Sequence, residues 1–190
     1  MQHTITPFSS ELPPFYWWKD AFSIEELNYL QCRARAATEK PLVGDGVQNT
    51  KLRRCNISWI NKNEETNFVF EKLAYVASQI NKFYRFDLIG FGEALQLTTY
   101  SEDEQGTYGW HQDFGSDFVS RKLSIVVQLS DPHEYEGGNL QILNGENPVT
   151  IERQRGLIAV FPSYTLHRVT PVTKGNRQSL VAWVTGPMFR

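Results

Sequence analysis

Two segments in the first half of the chain repeat their apolar residues at the spacing of a helix. In the first, Ser23 and Glu26 stand three residues apart, as in a capping box, and a helix is predicted over about 24–38. The second segment, NFVFEKLAYVASQINKFY (67–84), places its apolar residues along one stripe. Each predicted helix has one apolar face and therefore needs a surface to cover.

From about residue 87 onward the pattern changes to the period of β-strands. Short apolar runs alternate with Gly, Asn, Asp and Pro, which is typical of all-β domains. A further strand, LRRCNISWI, is predicted between the two helices. In chain order, the predicted strands cover residues 52–60, 92–100, 110–114, 121–130, 137–143, 156–162, 167–172 and 177–185.

The segment RKLSIVVQLS indicates what the two faces of such a sheet contact. Side chains alternate across a strand, so every second residue faces the same side. One face carries Leu123, Ile125, Val127 and Leu129, and the other carries Ser124, Val126 and Gln128. The first face is suited to helices, and the semi-polar face is suited to the inside of a double sheet that holds a small ligand.

These patterns predict an α+β fold that is mainly β. We expect a double-stranded β-helix, or jelly roll, with the N-terminal helices packed on its major sheet. The length of 190 residues fits one domain over 1–190. In this domain, helical support over about 20–85 precedes a jelly-roll core over about 87–187.

Charge and composition exclude several classes of function. The formal net charge is -2, so no overall field attracts the chain to nucleic acid or to an anionic membrane surface. With no run of about 18 apolar residues and no leader-like start, we expect a cytoplasmic protein without membrane or nucleic-acid partners. Cys32 and Cys55 are too few for a disulfide framework and are predicted to be buried, reduced thiols.

Three residues of the β-rich half have the side chains of a metal site. His111 and Asp113 stand two residues apart in YGWHQDF, and on a strand this spacing puts both side chains on one face. His167 follows the predicted strand 156–162 and could supply a third ligand from the opposite sheet. Two His and one carboxylate form the facial triad of non-haem Fe(II) oxygenases, which leaves adjacent coordination positions open.

The predicted strand 177–185 places a cation on the inner face of the double sheet. Arg177 shares this face with Ser179, Val181 and Trp183. A guanidinium inside a barrel requires an anion, and its planar fork fits a carboxylate through two hydrogen bonds. A ligand with two carboxylates would satisfy Arg177.

Together these motifs resemble those of the Fe(II)- and 2-oxoglutarate-dependent dioxygenases, in particular the prolyl 4-hydroxylase-like, PKHD-type branch. The resemblance covers about residues 95–187, through YGWHQD, RKLSIVVQLSDPHEYEGGNLQI and GLIAVFPSYTLHRVTPVTKGNRQSLVAWVTGP. It implies His111, Asp113 and His167 as iron ligands and Arg177 as the partner of the distal carboxylate of 2-oxoglutarate. It also implies Fe(II) as cofactor, 2-oxoglutarate and O₂ as co-substrates, and ascorbate as an auxiliary reductant.

The reaction that the resemblance implies is hydroxylation of an unactivated C–H bond, with release of succinate and CO₂. Tyr100 and Gln128 fall where related hydroxylases have a Tyr near the co-substrate, although Gln128 departs from that pattern and offers an amide donor instead. Trp183 matches a Trp of prolyl-hydroxylase relatives and completes the predicted cofactor-binding residues. AlkB-like nucleic-acid demethylases have a second Arg at this position, so Trp183 favours protein substrates.

The resemblance indicates peptidyl proline, in a peptide or protein partner, as the substrate. Two polar, Gly-bearing loops at 42–50 and 101–110 are predicted lids, and the rings of Tyr108, Trp110 and Phe114 are suited to holding a prolyl ring. Three alternatives stay open: an AlkB-like nucleic-acid oxygenase, a small-molecule hydroxylase and a non-catalytic cupin-like binding protein. The sequence does not predict the oligomeric state.

Three remaining features have simple structural explanations. The basic cluster of Lys51, Arg53 and Arg54 could meet phosphate, but a solvated strand face explains it equally well. His133 stands in a turn and is predicted to be solvated rather than to bind a metal. The N-terminal run PPFYWW is predicted to be an arm that packs on the core, with a place in a substrate groove as the alternative.

Overall fold

Both helices that the sequence predicts are present. The computed structural model describes residues 13–42, 48–115 and 118–188. Helix α1 spans Ile24–Arg35 and begins with the predicted capping box, in which Glu26 N donates to Ser23 Oγ and Ser23 N donates to Glu26 Oε2. Helix α2 spans Asn67–Tyr84, as predicted, and ends where Arg85 adopts the left-handed conformation with φ 58°.

The strands of the described residues form two antiparallel sheets. They are β1 (Tyr16–Trp18), β2 (Arg53–Arg54), β3 (Asn56–Ile60), β4 (Gly90–Phe91), β5 (Leu95–Ser101), β6 (Thr107–His111), β7 (Arg121–Gln128), β8 (Tyr135–Gly137), β9 (Leu140–Asn144), β10 (Asn147–Thr150), β11 (Ile158–Pro162), β12 (His167–Val169) and β13 (Val172–Thr185). The larger sheet has eight strands in the order β1-β11-β7-β13-β5-β3, with β4 and β8 also paired to β13. The smaller sheet has the order β10-β9-β12-β6-β2.

Two apolar cores lie on opposite faces of the larger sheet. The first joins the helices to this sheet and includes Leu30 of α1, Leu73 of α2 and Ile125 of β7. The second lies between the two sheets and includes Val126 of β7 and Ile142 of β9. Strand β7 therefore presents its alternate faces to the two cores, as its pattern predicts.

Two predicted strands are divided in the structure. Segment 52–60 forms two strands, because the chain passes at the buried Cys55 from β2 in the smaller sheet to β3 in the larger one. Segment 137–143 is interrupted after β8, because Gly137 and Gly138 have φ angles of 71° and 58°. Such angles suit glycine and break the extended conformation of a strand.

Strand β13 is longer than predicted and lies inside the larger sheet. It spans Val172–Thr185, so the predicted strand 177–185 is only its second half. The predicted strand 167–172 contributes β12 and the first residue of β13. Because β13 pairs with β5 on one side and β7 on the other, Arg177 stands in a strand that has neighbours on both sides.

The N-terminal segment packs on the core, as predicted. Strand β1 pairs with β11 at the edge of the larger sheet, and the ring of Tyr16 stacks on Phe83 with centroids 4.6 Å apart. The sequence pattern does not predict β1, which has three residues, or β10, in which every residue is exposed. Strands so short or so solvated carry too little alternation to be detected.

The two thiols are both free, as predicted, but they differ in burial. Cys55 is buried, whereas Cys32 is exposed, which corrects the prediction that both are buried. The reason is helical geometry: α1 buries Leu27, Leu30 and Ala34, and Cys32 falls outside this stripe. Neither described helix has the combination of length and apolar composition that crossing a membrane requires.

Candidate metal and co-substrate site

A bulge in β6 turns two side chains into the space between the sheets. His167 of β12 pairs with His111 of β6, and Val169 pairs with Tyr108, so three steps along β6 match two along β12. The extra residue breaks the alternation of faces. Tyr108 and His111 therefore line the same cavity, and their rings stack with centroids 3.4 Å apart.

The structure brings His111, Asp113 and His167 together by a route that differs from the predicted one. Strand β6 ends at His111, and Asp113 lies in the following loop, where Asp113 N and Phe114 N both donate to Ser163 O. Asp113 and His111 therefore do not share one face of a strand, and that prediction is wrong. His167 also lies beside His111 in the same sheet, not on the opposite sheet.

The three side chains form a compact cluster of potential metal ligands. One carboxylate oxygen of Asp113 is 3.7 Å from His111 Nε2, and the other is 3.6 Å from His167 Nε2. One ligand atom from each residue lies within 4.8 Å of the others, and no second cluster of this kind occurs in the part of the chain that the structure describes. Hydrogen bonds of the Nδ1 atoms to Gly109 O and Thr165 O leave both Nε2 atoms facing the centre.

Burial and neighbouring groups set the charges of the cluster. Burial raises the pKa of Asp113, but the His167 and His111 rings and the Ser124 hydroxyl outweigh this effect and lower the pKa to about 2. Burial, followed by the effect of His167, lowers the pKa of His111 to about 3. At neutral pH, Asp113 is ionised and His111 is neutral, which are the forms that bind a metal ion.

Arg177 lies across the cavity on β13 of the larger sheet. Its side chain is 1% exposed, and its Nη2 donates to Gln128 Oε1 at 2.9 Å. The other two nitrogens, Nε and Nη1, are buried and have no hydrogen-bond partner among the described residues. Burying a guanidinium whose N–H groups lack hydrogen-bond partners costs free energy, so an anion that accepts from these two nitrogens would stabilise the site.

The three other predicted cofactor-binding residues line or adjoin this cavity. Tyr100 lies beside Arg177, whose guanidinium carbon is 5.4 Å from the ring centroid, and Gln128 bonds to Arg177 as described above. Trp183 lies further along the same face of β13, where its ring stacks on Arg121. Its indole N–H makes no hydrogen bond of normal geometry to the described residues, but it contributes to the low pKa of Asp113.

A partly buried ion pair lies next to the cluster and was not predicted from the sequence. Arg121 donates to both carboxylate oxygens of Glu93, at 2.5 and 2.6 Å, and lies between the rings of Phe118 and Trp183 at 3.8 and 3.9 Å. Its Nη1 also approaches the backbone oxygen of Asp113 at 3.4 Å. The two charges Arg121 and Lys122 at the start of β7 are the sequence signal for this residue.

The basic cluster near β2 is not a uniformly solvated strand face. Lys51 is exposed, and Arg54 donates to the backbone oxygens of residues 50, 104 and 105. Arg53, however, points into the cavity, where it donates to Gln96 and lies over the ring of Tyr108. Arg53 is only partly exposed, because β2 joins the smaller sheet next to β6.

These groups surround one cavity of about 780 Å³ between the two sheets. Trp110, expected to flank the metal ligands, lies over Arg168 and is absent from the cavity wall, because the bulge in β6 puts it on the other face. The predicted lid 42–50 lies largely outside the described residues. In the predicted lid 101–110, residues Glu102–Glu104 form a 3₁₀ turn that is held by an ion pair between Lys40 and Glu104.

Comparison with known proteins places this fold and site in a class. The model of the 2OG-Fe(II) oxygenase superfamily matches residues 95–185, which include the whole cluster and Arg177. A prolyl-4-hydroxylase of Pseudomonas putida aligns with a TM-score of 0.72 at 20% identity, over 92% of this chain and 93% of that one. A prolyl hydroxylase of Trichoplax adhaerens, in complex with a hypoxia-inducible-factor peptide fragment, aligns with a TM-score of 0.74 at 16% identity, over 90% and 83%.

The two solved structures confirm the double-stranded β-helix fold. A more specific match comes from a PKHD-type hydroxylase of Nitrosomonas europaea, which is 38% identical over 168 residues, or 83% of this chain and 72% of that protein. Matches to other PKHD-type hydroxylases cover only 40% of the length of those proteins. The chain belongs to the 2OG-Fe(II) oxygenase superfamily, and within it to the PKHD-type hydroxylases. Membership implies Fe(II), 2-oxoglutarate and O₂ as its reagents.

Proposed function

We propose that the protein hydroxylates a prolyl residue of a peptide or protein, with Fe(II), 2-oxoglutarate and O₂, and releases succinate and CO₂. One observation carries the proposal: a single cavity contains both the cluster of His111, Asp113 and His167 and the two unmatched nitrogens of Arg177. A site for a divalent metal and a site for an anion within one cavity suit a metal-binding oxo acid with a distal carboxylate.

In this proposal, His111, Asp113 and His167 bind Fe(II). The donor set fits the ion, because two neutral imidazoles and one carboxylate leave open positions for a co-substrate and O₂. The hydrogen bonds from the His Nδ1 atoms to Gly109 O and Thr165 O hold the rings in orientation. The Ser124 hydroxyl holds Asp113 in its ionised form.

Arg177 binds the distal carboxylate of 2-oxoglutarate in this proposal. The fit rests on its Nε and Nη1 atoms, which a carboxylate would satisfy. Gln128 accepts from Nη2 and so fixes the guanidinium, while Tyr100 lies beside it. Gly138 leaves room for this arrangement, because a Cβ at that position would lie 3.0 Å from Arg177 Cδ.

When bound, the metal, 2-oxoglutarate and O₂ would together supply an oxidant that replaces hydrogen by hydroxyl at an unactivated C–H bond. The protein orients this chemistry and shields it from water. Val126, Val181 and Trp183 form an apolar part of the wall of the cavity that contains both the cluster and Arg177. Ascorbate as auxiliary reductant, a single domain over the whole chain and a cytoplasmic location are further parts of the proposal.

A prolyl substrate is supported by the apolar side chains at the outer part of the cavity. Leu42, Trp59 and Phe118 line it and are exposed, so they can contact a substrate ring. One structurally similar protein is a prolyl hydroxylase in complex with a peptide fragment. Trp183, where AlkB-like enzymes have Arg, favours a peptide over a nucleic acid.

The proposal is tested by measuring succinate from purified protein with Fe(II), 2-oxoglutarate and ascorbate. Prolyl peptides should stimulate succinate release, and mass spectrometry should find a mass increase of one oxygen on proline. His167→Ala should abolish both signals, whereas His133→Ala, at an exposed histidine outside the cavity, should leave them intact. Stimulation by methylated oligonucleotides alone would favour an AlkB-like activity, and no succinate under any condition would favour a binding protein.

A further inference from the structure

Arg53 is a cavity cation whose charge no carboxylate of the described residues neutralises. Its Nη2 donates to Gln96 Oε1 at 2.6 Å, and its Nε donates to Cys55 Sγ at 3.1 Å. Burial raises the pKa of the Cys55 thiol, so this partner is neutral, as is the amide of Gln96. None of the ion pairs among the described residues includes Arg53.

The acidic groups of the cavity wall are engaged elsewhere or lie at its rim. Glu93 is paired with Arg121, and Asp113 belongs to the metal-ligand cluster. Glu39 is exposed and forms no ion pair within the described part of the chain. Within the described residues, the cavity wall therefore shows no carboxylate paired with Arg53.

The charges of the proposed reagents do not supply a counter-ion either. The two positive charges of Fe(II) and the one of Arg177 equal the negative charges of Asp113 and the 2-oxoglutarate dianion. Arg121 is neutralised by Glu93. With metal and co-substrate bound, Arg53 is therefore still without an ion-pair partner among the described residues. A substrate that displaces water from its guanidinium would raise the free-energy cost of leaving this charge unpaired.

Arg53 lies close to the place where the reaction would occur. Its guanidinium carbon is 4.6 Å from the ring centroid of Tyr108, and this ring stacks on His111 at 3.4 Å. Arg53 extends from the smaller sheet, whereas Arg177 extends from the larger one. A ligand group bound by Arg53 is therefore near His111, on the smaller-sheet side of the cavity.

We infer that Arg53 binds a carboxylate of the substrate, so that the substrate carries a negative charge near the C–H bond that reacts. The inference rests on the proposed function and names the chemical class of its substrate. Arginine binds carboxylates more strongly than neutral carbonyls, because the hydrogen bonds are charge-assisted. The carboxylate has two possible sources: the C-terminus of a chain that ends in proline, or an Asp or Glu side chain adjacent to proline.

Binding of three peptides distinguishes these sources without requiring turnover. The protein is loaded with Zn²⁺ and 2-oxoglutarate, and peptide affinity is measured by saturation-transfer NMR titration. The probes are a peptide with a free C-terminal proline, an amidated Asp-Pro peptide and its amidated Asn-Pro counterpart. At least one carboxylate peptide should bind about tenfold or more tightly than the neutral one.

Substitutions at Arg53 then test whether this residue causes the preference. Arg53→Gln should remove it, and Arg53→Lys should retain part of it, because lysine keeps the charge but loses the planar fork. Lys51→Gln removes a neighbouring, exposed cation and should leave the preference intact. The affinity for 2-oxoglutarate should be unchanged in all three variants, which also checks that each is folded.

The inference is overturned by equal binding of the three peptides, by failure of both carboxylate peptides to bind, or by a preference that survives in Arg53→Gln. It is also overturned if Arg53→Gln lowers the affinity for 2-oxoglutarate, since Arg53 would then bind the co-substrate. If the protein prefers carboxylate peptides through Arg53 but never forms succinate, the proposed function is wrong and the anion site at Arg53 is still supported. If the protein forms succinate but shows no carboxylate preference, the proposed function is supported and the inference about Arg53 is wrong.

Discussion

The Ser124 hydroxyl donates a 2.6 Å hydrogen bond to Asp113 Oδ2 in the buried space between the two sheets. Ser124 lies in β7 of the larger sheet, whereas Asp113 lies in the loop after β6 of the smaller sheet. The Ser163 hydroxyl is 3.1 Å from that of Ser124, and Ser163 O accepts from Asp113 N. The two serines therefore tie the carboxylate to the larger sheet while the histidines belong to the smaller one.

Removing this hydroxyl should weaken metal binding. Ser124→Ala is expected to lower the affinity for Fe²⁺ or Co²⁺ by about 10- to 100-fold, the usual effect of losing a group that orients a metal ligand. Anaerobic metal titration measures the change. Ser120→Ala, at an exposed serine near the start of the same strand, should have no effect. Equal metal affinity in both variants would show that Ser124 does not orient Asp113.

Replacing Arg177 of β13 by lysine should weaken the binding of 2-oxoglutarate and leave metal binding unchanged. Arg177→Lys keeps the positive charge but loses the planar guanidinium, so 2-oxoglutarate affinity should fall about tenfold or more. Metal affinity should stay the same, because Arg177 bonds to Gln128 and forms no hydrogen bond to the three clustered residues within the described part of the chain. The matched control is Arg168→Lys, because Arg168 lies on the face of β12 opposite to His167 and outside the cavity wall. An unchanged 2-oxoglutarate dependence would assign the distal carboxylate to another residue.

Local sequence patterns were sufficient for the helices and for the faces of β7. The capping box at Ser23 and the apolar stripe of 67–84 act within a few residues of chain, and the alternation along β7 follows from backbone geometry. These features do not depend on distant contacts. The same locality explains why the candidate site residues were found from short motifs around His111 and His167.

Long-range pairing determines the features that the sequence did not predict. The bulge that turns Tyr108 and His111 inward exists only because β6 pairs with β12 out of step. The position of Asp113 depends on Ser163, fifty residues further along the chain. The cavity position of Arg53 depends on the crossing of the chain between two sheets, which no local pattern of charge or hydrophobicity reveals.

Breaking the ion pair beside the cluster should destabilise the protein. Glu93→Gln leaves the buried Arg121 without its counter-charge. Removing one partner of a fully buried ion pair lowers the free energy of unfolding by about 3–5 kcal/mol. Because the Glu93 side chain is 30% exposed, solvent reduces the cost, and we expect about 1–2 kcal/mol in urea unfolding. Glu136→Gln, in the exposed pair with Lys174, should change the free energy of unfolding by less than about 0.5 kcal/mol. Equal effects in the two variants would contradict the structural role of Arg121.

Acidification should destabilise the metal-free protein through two groups that take up protons in different ranges of pH. The pKa of His111 is about 3 in the folded protein and 6.5 in its ordinary state, so the unfolded chain binds the proton first as the pH falls. The contribution of His111 is therefore present above pH 6.5 and is lost progressively toward pH 3. Asp113, with a pKa lowered from 3.8 to about 2, adds a loss only below about pH 4.

A histidine variant isolates the first of these ranges. His111→Gln cannot take up a proton, so its free energy of unfolding should vary less between pH 6.5 and 4 than that of the unaltered protein. Urea unfolding with a chelator present measures both curves, and His133→Ala should follow the unaltered protein because His133 is exposed. If His111→Gln loses as much stability over this range as the unaltered protein does, His111 is not the buried neutral group that the structure indicates.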